Sequence, residues 1–398
     1  MEQVLDDIKK CTGCTACQQI CPHKSIKMTE ASDGFLYPEI DSGKCVNCGL
    51  CRDICPVLKP PVKNPVREGY SMRVSDEKIL RSSTSGGFMT AIAKYIFKAD
   101  GVLFGVGYAE DKGRIYPKTY YVEKDNIKEL DKMRGSKYVQ SRLDNTFMTV
   151  KNFLKEGRLV CFIGTPCQVA GLKKYLISDQ ENLITVDLVC HGVSSPKLFD
   201  RYIKYMSERM KGKVIDARFR NKTYGYHSGT MKLRTSDGKA YYASGRVDHM
   251  LKAYFSGLCS RESCYECPFK GVERCSDFTI FDSFSVSKNA KVADDDKGYT
   301  NVFVRTEKAK KIYEEMSGYI KSYTADVDTM IKTDGVMINN NPEKNLNRDK
   351  MFDELGDDNF EKVMQKYAHV SFTDKMLEST KRTLYRTGLL GLIKKVKK

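Results

Sequence analysis

Apolar and polar positions divide the chain into short segments of distinct period. Leu159–Gly164 is continuously apolar, which predicts a buried strand. Thr165-Pro166-Cys167-Gln168 follows, then the helical stretch Val169–Leu176. Ile184–Cys190 predicts a further strand, running into Cys190-His191-Gly192. Gly101–Tyr108 alternates apolar with small residues, and Tyr116–Glu123 is a second strand candidate beside it. Asp277–Phe281 reads as a strand with Asp282 at its end, and Phe88–Phe97 has helical periodicity. Strand, tight turn and helix in succession predict an α/β body, whose ligands sit at the carboxyl ends of the strands. Ahead of it, Ser25–Met28 and Phe35–Ile40 predict two short strands of a small α+β module. From Asn339 onward the pattern is polar and helical.

The cysteines set this organisation apart from an ordinary α/β protein. Cys11, Cys14, Cys17 and Cys21 are followed by Pro22; Cys45, Cys48, Cys51 and Cys55 are followed by Pro56. Each run has the spacing C-x2-C-x2-C-x3-C-P of two-cluster ferredoxins, in which the fourth cysteine ligates the other cluster. Cys11, Cys14, Cys17 and Cys55 are thus expected to hold one 4Fe-4S cluster. Cys45, Cys48, Cys51 and Cys21 are expected to hold the second. Structural zinc would use four thiolates per ion from paired knuckles, leaving the third and fourth cysteine of each run without a purpose. Thr12, Gly13, Thr15, Ala16, Asn47 and Gly49 are small enough for the backbone amides to turn toward the cluster sulfurs.

Three prolines between Lys59 and Pro65 predict a stiff connector. The resulting division is a two-cluster module over 1–60, a linker over 61–67, a body in two parts over 68–150 and 151–338, and a helical basic tail over 339–398. In the body, the Ser/Gly-rich loop before Phe88 offers amide groups to an anion. Met133–Ser141 is a polar loop with one lysine. Cys167 and Cys190 both stand just past strand ends. Cys259, Cys264, Cys267 and Cys275 follow as C-x4-C-x2-C-x7-C, a spacing that fits either a third cluster or zinc.

Composition refines the picture little. The formal charge is +16. A four-iron cluster with its thiolates offsets roughly two charges, and the excess suits an acidic redox partner or an anionic cofactor. The basic residues are scattered rather than striped among aromatics, which argues against nucleic acid. The absence of an apolar signal core or a membrane-length apolar run makes a cytoplasmic protein the expectation. Leu389–Lys398 is apolar, then basic. It reads as a solvated helix end, and it also suits peripheral contact with an anionic membrane.

Several segments together resemble the beta subunit of coenzyme F420-reducing hydrogenases and dehydrogenases. They are 83–96 (STSGGFMTAIAKYI), 134–141 (RGSKYVQS), 161–172 (CFIGTPCQVAGL), 187–199 (DLVCHGVSSPKLF), 219–225 (FRNKTYG) and 263–280 (SCYECPFKGVERCSDFTI). The resemblance implies an iron–sulfur flavoprotein that exchanges electrons between ferredoxin-type clusters and a two-electron acceptor through FAD. It implies flavin contacts from Thr84, Ser85, Gly86 and Gly87, from Ser136 and Lys137, and from Gly164 and Thr165. It implies a third 4Fe-4S cluster on Cys167, Cys190, Cys264 and Cys267, with Cys259 the rival for the fourth position and Cys275 outside the set. Its partners would be ferredoxin or another redox protein, and a small two-electron acceptor such as a deazaflavin. His191, beside a ligand position, is the candidate proton donor. The rival reading is a non-catalytic subunit that connects ferredoxin to a partner enzyme. Where the family usually has glycine-aspartate-phenylalanine-tryptophan after the SDFTI strand, this chain has Phe281-Asp282-Ser283-Phe284.

Overall fold

A computed structural model describes residues 2–390. The last eight residues of the apolar-then-basic end therefore lie outside the described residues. Among the described residues, thirteen strands form three sheets: β1 (Ile26–Glu30), β2 (Leu36–Ile40), β3 (Glu68–Val74), β4 (Val102–Asp111), β5 (Arg114–Val122), β6 (Val160–Gly164), β7 (Leu183–Leu188), β8 (Val214–Asn221), β9 (Thr230–Thr235), β10 (Ala240–Ser244), β11 (Phe278–Ser283), β12 (Tyr299–Val304) and β13 (Ile320–Thr324). The main sheet has the order β13-β3-β12-β11-β7-β6-β4-β5. Its centre, β4-β6-β7-β11, is parallel, and antiparallel strands extend it on both sides.

The centre is parallel because β6 and β7 are almost wholly apolar and buried on both faces. Pro166 at the first helical position and a Thr165–Gln168 capping box start helix Pro166–Leu176 immediately after β6. Helix Phe88–Lys98 starts at Gly87, with φ +89°. The expected α/β body is present as a mixed sheet with helices. Its unforeseen strands β3, β12 and β13 pair residues far apart in sequence. Strands from 68–150 and from 151–338 share this one sheet.

A second, three-stranded sheet, β10-β9-β8, packs with helices Pro196–Met210 and His249–Phe255 in its own apolar core. The tail is part of that core, to which it contributes Met351, Phe352, Phe360, Val363 and Met364. Its last helix, Phe372–Arg386, is pinned where Ser244 N and Oγ donate to the buried Glu378 carboxylate at 3.1 and 2.6 Å.

The N-terminal module, with the β1–β2 hairpin, sits on the body through buried polar contacts. Arg261 is fully buried. Its Nε donates to Cys11 O at 2.6 Å, Nη2 to Leu36 O at 2.9 Å and Nη1 to Gln140 Oε1 at 2.9 Å. The guanidinium also lies 4.2 Å from the Tyr37 ring centre. Gln140 Nε2 donates to Thr12 O, and Gln19 Oε1 accepts from Phe147 N. Arg348 Nη2 donates to Asp33 Oδ2 at 2.7 Å. The proline-rich segment is itself tied down: Asn64 N donates to Arg274 O, and Asn64 O accepts from Arg305. The module is therefore fixed at both ends.

Arg261→Ala removes a buried cation that satisfies two module carbonyls. Each buried carbonyl left without its donor costs roughly 1–3 kcal/mol. The expected result is a lower thermal midpoint and faster proteolysis within 59–67, with the module's iron retained. Thermal unfolding, limited proteolysis and iron assay check it.

Candidate iron–sulfur and anion site

The two cysteine runs fold the same way because they repeat the same backbone conformation. Gly13 and Asn47 have φ +68° and +57°, and Thr15 and Gly49 have φ +62° and +79°. Each pair is separated by the 34-residue repeat. Successive turns of this kind point amide groups into a common hollow, suited to an anionic group. Gly13 N lies 3.4 Å from Cys11 Sγ, which accepts its hydrogen bond.

Cys11, Cys17 and Cys55 are buried with Val4, Leu5 and Ile26. Cys14 faces the same group, since charge on Cys11 and Cys55 acts on its thiol and burial pushes that thiol up to about 12. The second set, Cys21, Cys45, Cys48 and Cys51, lines a cavity walled by Ile26, Ile40, Val46 and Leu50. Cys48 is exposed, so this cavity lies at the surface.

A third set gathers in the body. Parallel pairing sets the ends of β6 and β7 side by side, bringing Cys167 and Cys190 together. Beyond β7, residues 193–195 pair with 259–261: Arg261 N donates to Val193 O and Ser195 N to Cys259 O. This pairing carries Cys264 and Cys267 to the same cavity. Burial pushes Cys264 up to about 12 and Cys167 well above its ordinary value. Only a cationic centre would hold such thiols as thiolates. Among the described residues, no three His, Cys, Asp or Glu side chains are close enough to hold a single metal ion. One zinc would require thiolates about 3.8 Å apart, given Zn–S bonds of about 2.3 Å.

Cys259 is a correction to the expected ligand set. Its backbone pairs with Ser195, and its side chain is buried in the core beneath the three-stranded sheet, not in the cysteine cavity. Cys275 also lies elsewhere, in the core behind β6.

Thr12, between two cysteines of the first run, lines the third cavity. Gly171, on the helix that carries Cys167, backs onto Cys14: an added Cβ would lie 2.8 Å from Cys14 Cβ. The module's inner cysteine set thus abuts the body's set. His191 also lines the third cavity, with its ring 5.0 Å from Tyr254 and 6.0 Å from Phe255. Burial, then nearby Lys270, lower its pKa.

The anion-loop residues separate into two places. Ser136 N donates to Thr84 Oγ1 at 2.9 Å, joining those loops. Ser85 Oγ lies 2.7 Å from Thr300 Oγ1, and Gly86 N donates to the same oxygen. Gly86 passes so close to β3 that a Cβ would stand 2.1 Å from Met72 O. Gly164 and Thr165 lie instead by the third cavity, with Thr165 Oγ1 3.2 Å from Cys167 Sγ. Ser141, at the end of the 134–141 segment, accepts from Gln168 Nε2.

Facing the 84–87 loop are cations that the sequence reading did not single out, although two lie in the segment 219–225. Lys222 Nζ donates to Leu80 O and Ser85 O. Arg218 donates to Ser82 O, and Arg220 pairs with Asp282 at 2.9 Å. Tyr226 OH donates to the same carboxylate, while the Phe284 ring stacks 5.0 Å from Tyr226 and 4.9 Å from the Arg220 guanidinium. The departing segment 281–284 is therefore packed around Arg220 and Tyr226. Lys137 Nζ is spent on Met133 O, Arg134 O and Gly135 O. Burial lowers Lys137 and Lys222 to about 7.

Three regions match family profiles. Residues 10–58 match the 4Fe-4S dicluster domain. Residues 70–146 match the N-terminal part, and 157–328 the C terminus, of the coenzyme F420 hydrogenase/dehydrogenase beta subunit. No curated protein matches the chain. Among solved structures, a xenon-derivatised F420-reducing NiFe hydrogenase complex from Methanosarcina barkeri is similar at 17% identity and TM-score 0.47, over 69% of this chain and 89% of that one. Among the described residues, no helix is long and apolar enough to cross a membrane.

The two depressed lysines give a pH signature. Between their folded value of about 7 and the ordinary 10.5, the unfolded chain binds more protons than the folded one. Stability contributed by these groups therefore rises with pH. Above about 9 the buried thiols, whose values are raised, oppose it. Denaturant titrations of the cofactor-free protein from pH 7 to 9 should show a positive slope that shrinks in Lys222→Met. An identical slope in both proteins would contradict the assignment.

Proposed function

We propose that this chain, a member of the coenzyme F420 hydrogenase/dehydrogenase beta subunit family with a 4Fe-4S dicluster domain in front, is a flavin-dependent iron–sulfur oxidoreductase that exchanges single electrons with a redox protein and electron pairs with a small acceptor. The observation that carries the reading is Thr12. It lies within the first cysteine loop and also forms part of the wall around Cys167, Cys190, Cys264 and Cys267. Three sets of four thiols therefore follow one another from the exposed Cys48 inward to the body.

Cys21, Cys45, Cys48 and Cys51 would hold the outer cluster. Cys11, Cys14, Cys17 and Cys55 would hold the inner one, and Cys167, Cys190, Cys264 and Cys267 a third. The donor sets fit, being all-thiol, four to a site and too open for a single ion. The cleft between Thr84–Gly87, Ser136 and Lys222 suits the anionic part of FAD: Gly86 keeps the loop flat against β3, and Lys222 has a third N–H beyond the two donated to carbonyls. Bound there, these groups would supply one-electron transfer and its exchange with two-electron chemistry.

The protein's own contribution is positional. Arg261 and Gln140 hold the Cys11 loop against the body. Tyr254 packs on His191, and Phe269 lines the wall around the body's cysteines, which limits water there. The pair Arg220–Asp282, with Phe284 over it, shapes the acceptor side of the cleft. His191 remains the proposed proton donor, from the wall of the third cavity.

Anaerobic purification with iron and flavin quantification tests the reading. It predicts about twelve irons and about one flavin per chain, from three four-iron centres. Cys190→Ala and Cys264→Ala should each lose about four of those irons. A preparation with only the two module clusters and no flavin would contradict the reading and leave a non-catalytic electron-transfer subunit.

A further inference from the structure

The outer and third thiol sets differ in the charge around them. The outer cavity has no lysine or arginine in its wall. The third has two, Lys270 and Arg274. Arg274 is compensated: Nη1 lies 3.3 Å from the buried Asp187 carboxylate. Lys270 is held differently. Its Nζ donates to Cys190 O at 2.6 Å and to Met337 O at 2.8 Å. Both acceptors are neutral carbonyls, so its charge is not cancelled by its hydrogen-bond partners. An ammonium thus stands in the wall of a cavity whose four thiols are each partly buried.

Reduction of a four-thiolate cluster adds one electron and one negative charge, with no bond made or broken. Solvent normally stabilises that charge, and net charge and exposure are among the factors that set cluster potentials. Partial burial at the third cavity reduces the solvent contribution, and with it the ease of reduction. A fixed cation in the wall restores it. The outer set, with Cys48 exposed, has water and needs no such residue.

We propose that Lys270 is a positioning residue that raises the reduction potential of the centre held by Cys167, Cys190, Cys264 and Cys267, its uncompensated charge replacing the stabilisation that water provides at the surface. This rests on the third cluster assigned above. The sequence places Lys270 three residues after Cys267, and only the fold turns it back onto Cys190.

Redox titration of the full-length, anaerobically purified protein, followed by electron paramagnetic resonance and paired with iron assay, tests this. Lys270→Gln keeps a donor for Cys190 O and removes the charge; Lys270→Arg keeps the charge. The Gln variant should retain its iron, and one centre should titrate at a more negative potential. At the wild-type midpoint its reduced-to-oxidised ratio should fall by about tenfold or more, as for unit charges some angstroms apart at an effective dielectric near 20. The Arg variant should titrate close to wild type. Equal shifts in both variants, no shift in either, or loss of the same irons from both would overturn the proposal. Wild-type protein with iron for the module alone would instead overturn the third cluster itself.

Discussion

Electron transfer between buried centres requires that their separation be held, and here one guanidinium does much of the holding. Arg261 is fully buried, donates to Cys11 O and Leu36 O of the module, and grips Gln140 of the body. A buried cation without such partners would be strongly destabilising. Its burial and the docking of the module therefore depend on one another. Gln140 repeats the contact at Thr12 O, and the close approach at Gly13 leaves no room for a side chain. Because Thr12 also lines the third cavity, the interaction that fixes the module also fixes the inner cysteine set beside the body's own.

The remainder of the site follows from where strands end. Parallel β6 and β7 deliver Cys167 and Cys190 to one level, and the pairing of 193–195 with 259–261 returns the chain with Cys264 and Cys267. Burial raises the cost of ionising these thiols, and Lys270 contributes opposing charge from the cavity wall. From the second sheet, β8 and its continuation bring Arg218, Arg220 and Lys222 beside the loop at 84–87 and the end of β11.

Local features of the chain were legible from sequence. The ferredoxin repeat has a spacing dictated by cluster geometry, and its 34-residue period reappears in the backbone angles at Gly13, Asn47, Thr15 and Gly49. The strands β4, β6, β7 and β11 were clear because buried parallel strands are rich in apolar residues, most continuously at β6. Long-range features were not legible. β3, β12 and β13 have pairings set by tertiary contacts, and the three-stranded sheet carries alternating patterns too weak to register. Cys259 looked like a ligand because it lies near Cys264 in sequence, whereas strand-like pairing with Ser195 turns its side chain into a core. Arg261 and Lys270 were not singled out, since no local pattern marks a charge that the fold will bury. Asp282 and Phe284, noticed only as a departure from the family, prove to brace Arg220.

The central claim is that the module is a fixed part of one continuous relay and not a tethered carrier. Magnetic coupling between centres tests it most directly, because it depends on their separation and not on turnover. In the fully reduced protein, electron paramagnetic resonance should show mutually broadened signals from three four-iron centres, with the body's centre coupled to the module. Arg261→Ala should weaken that coupling while iron content holds. A body centre whose signal and relaxation are indifferent to reduction of the module would contradict the account.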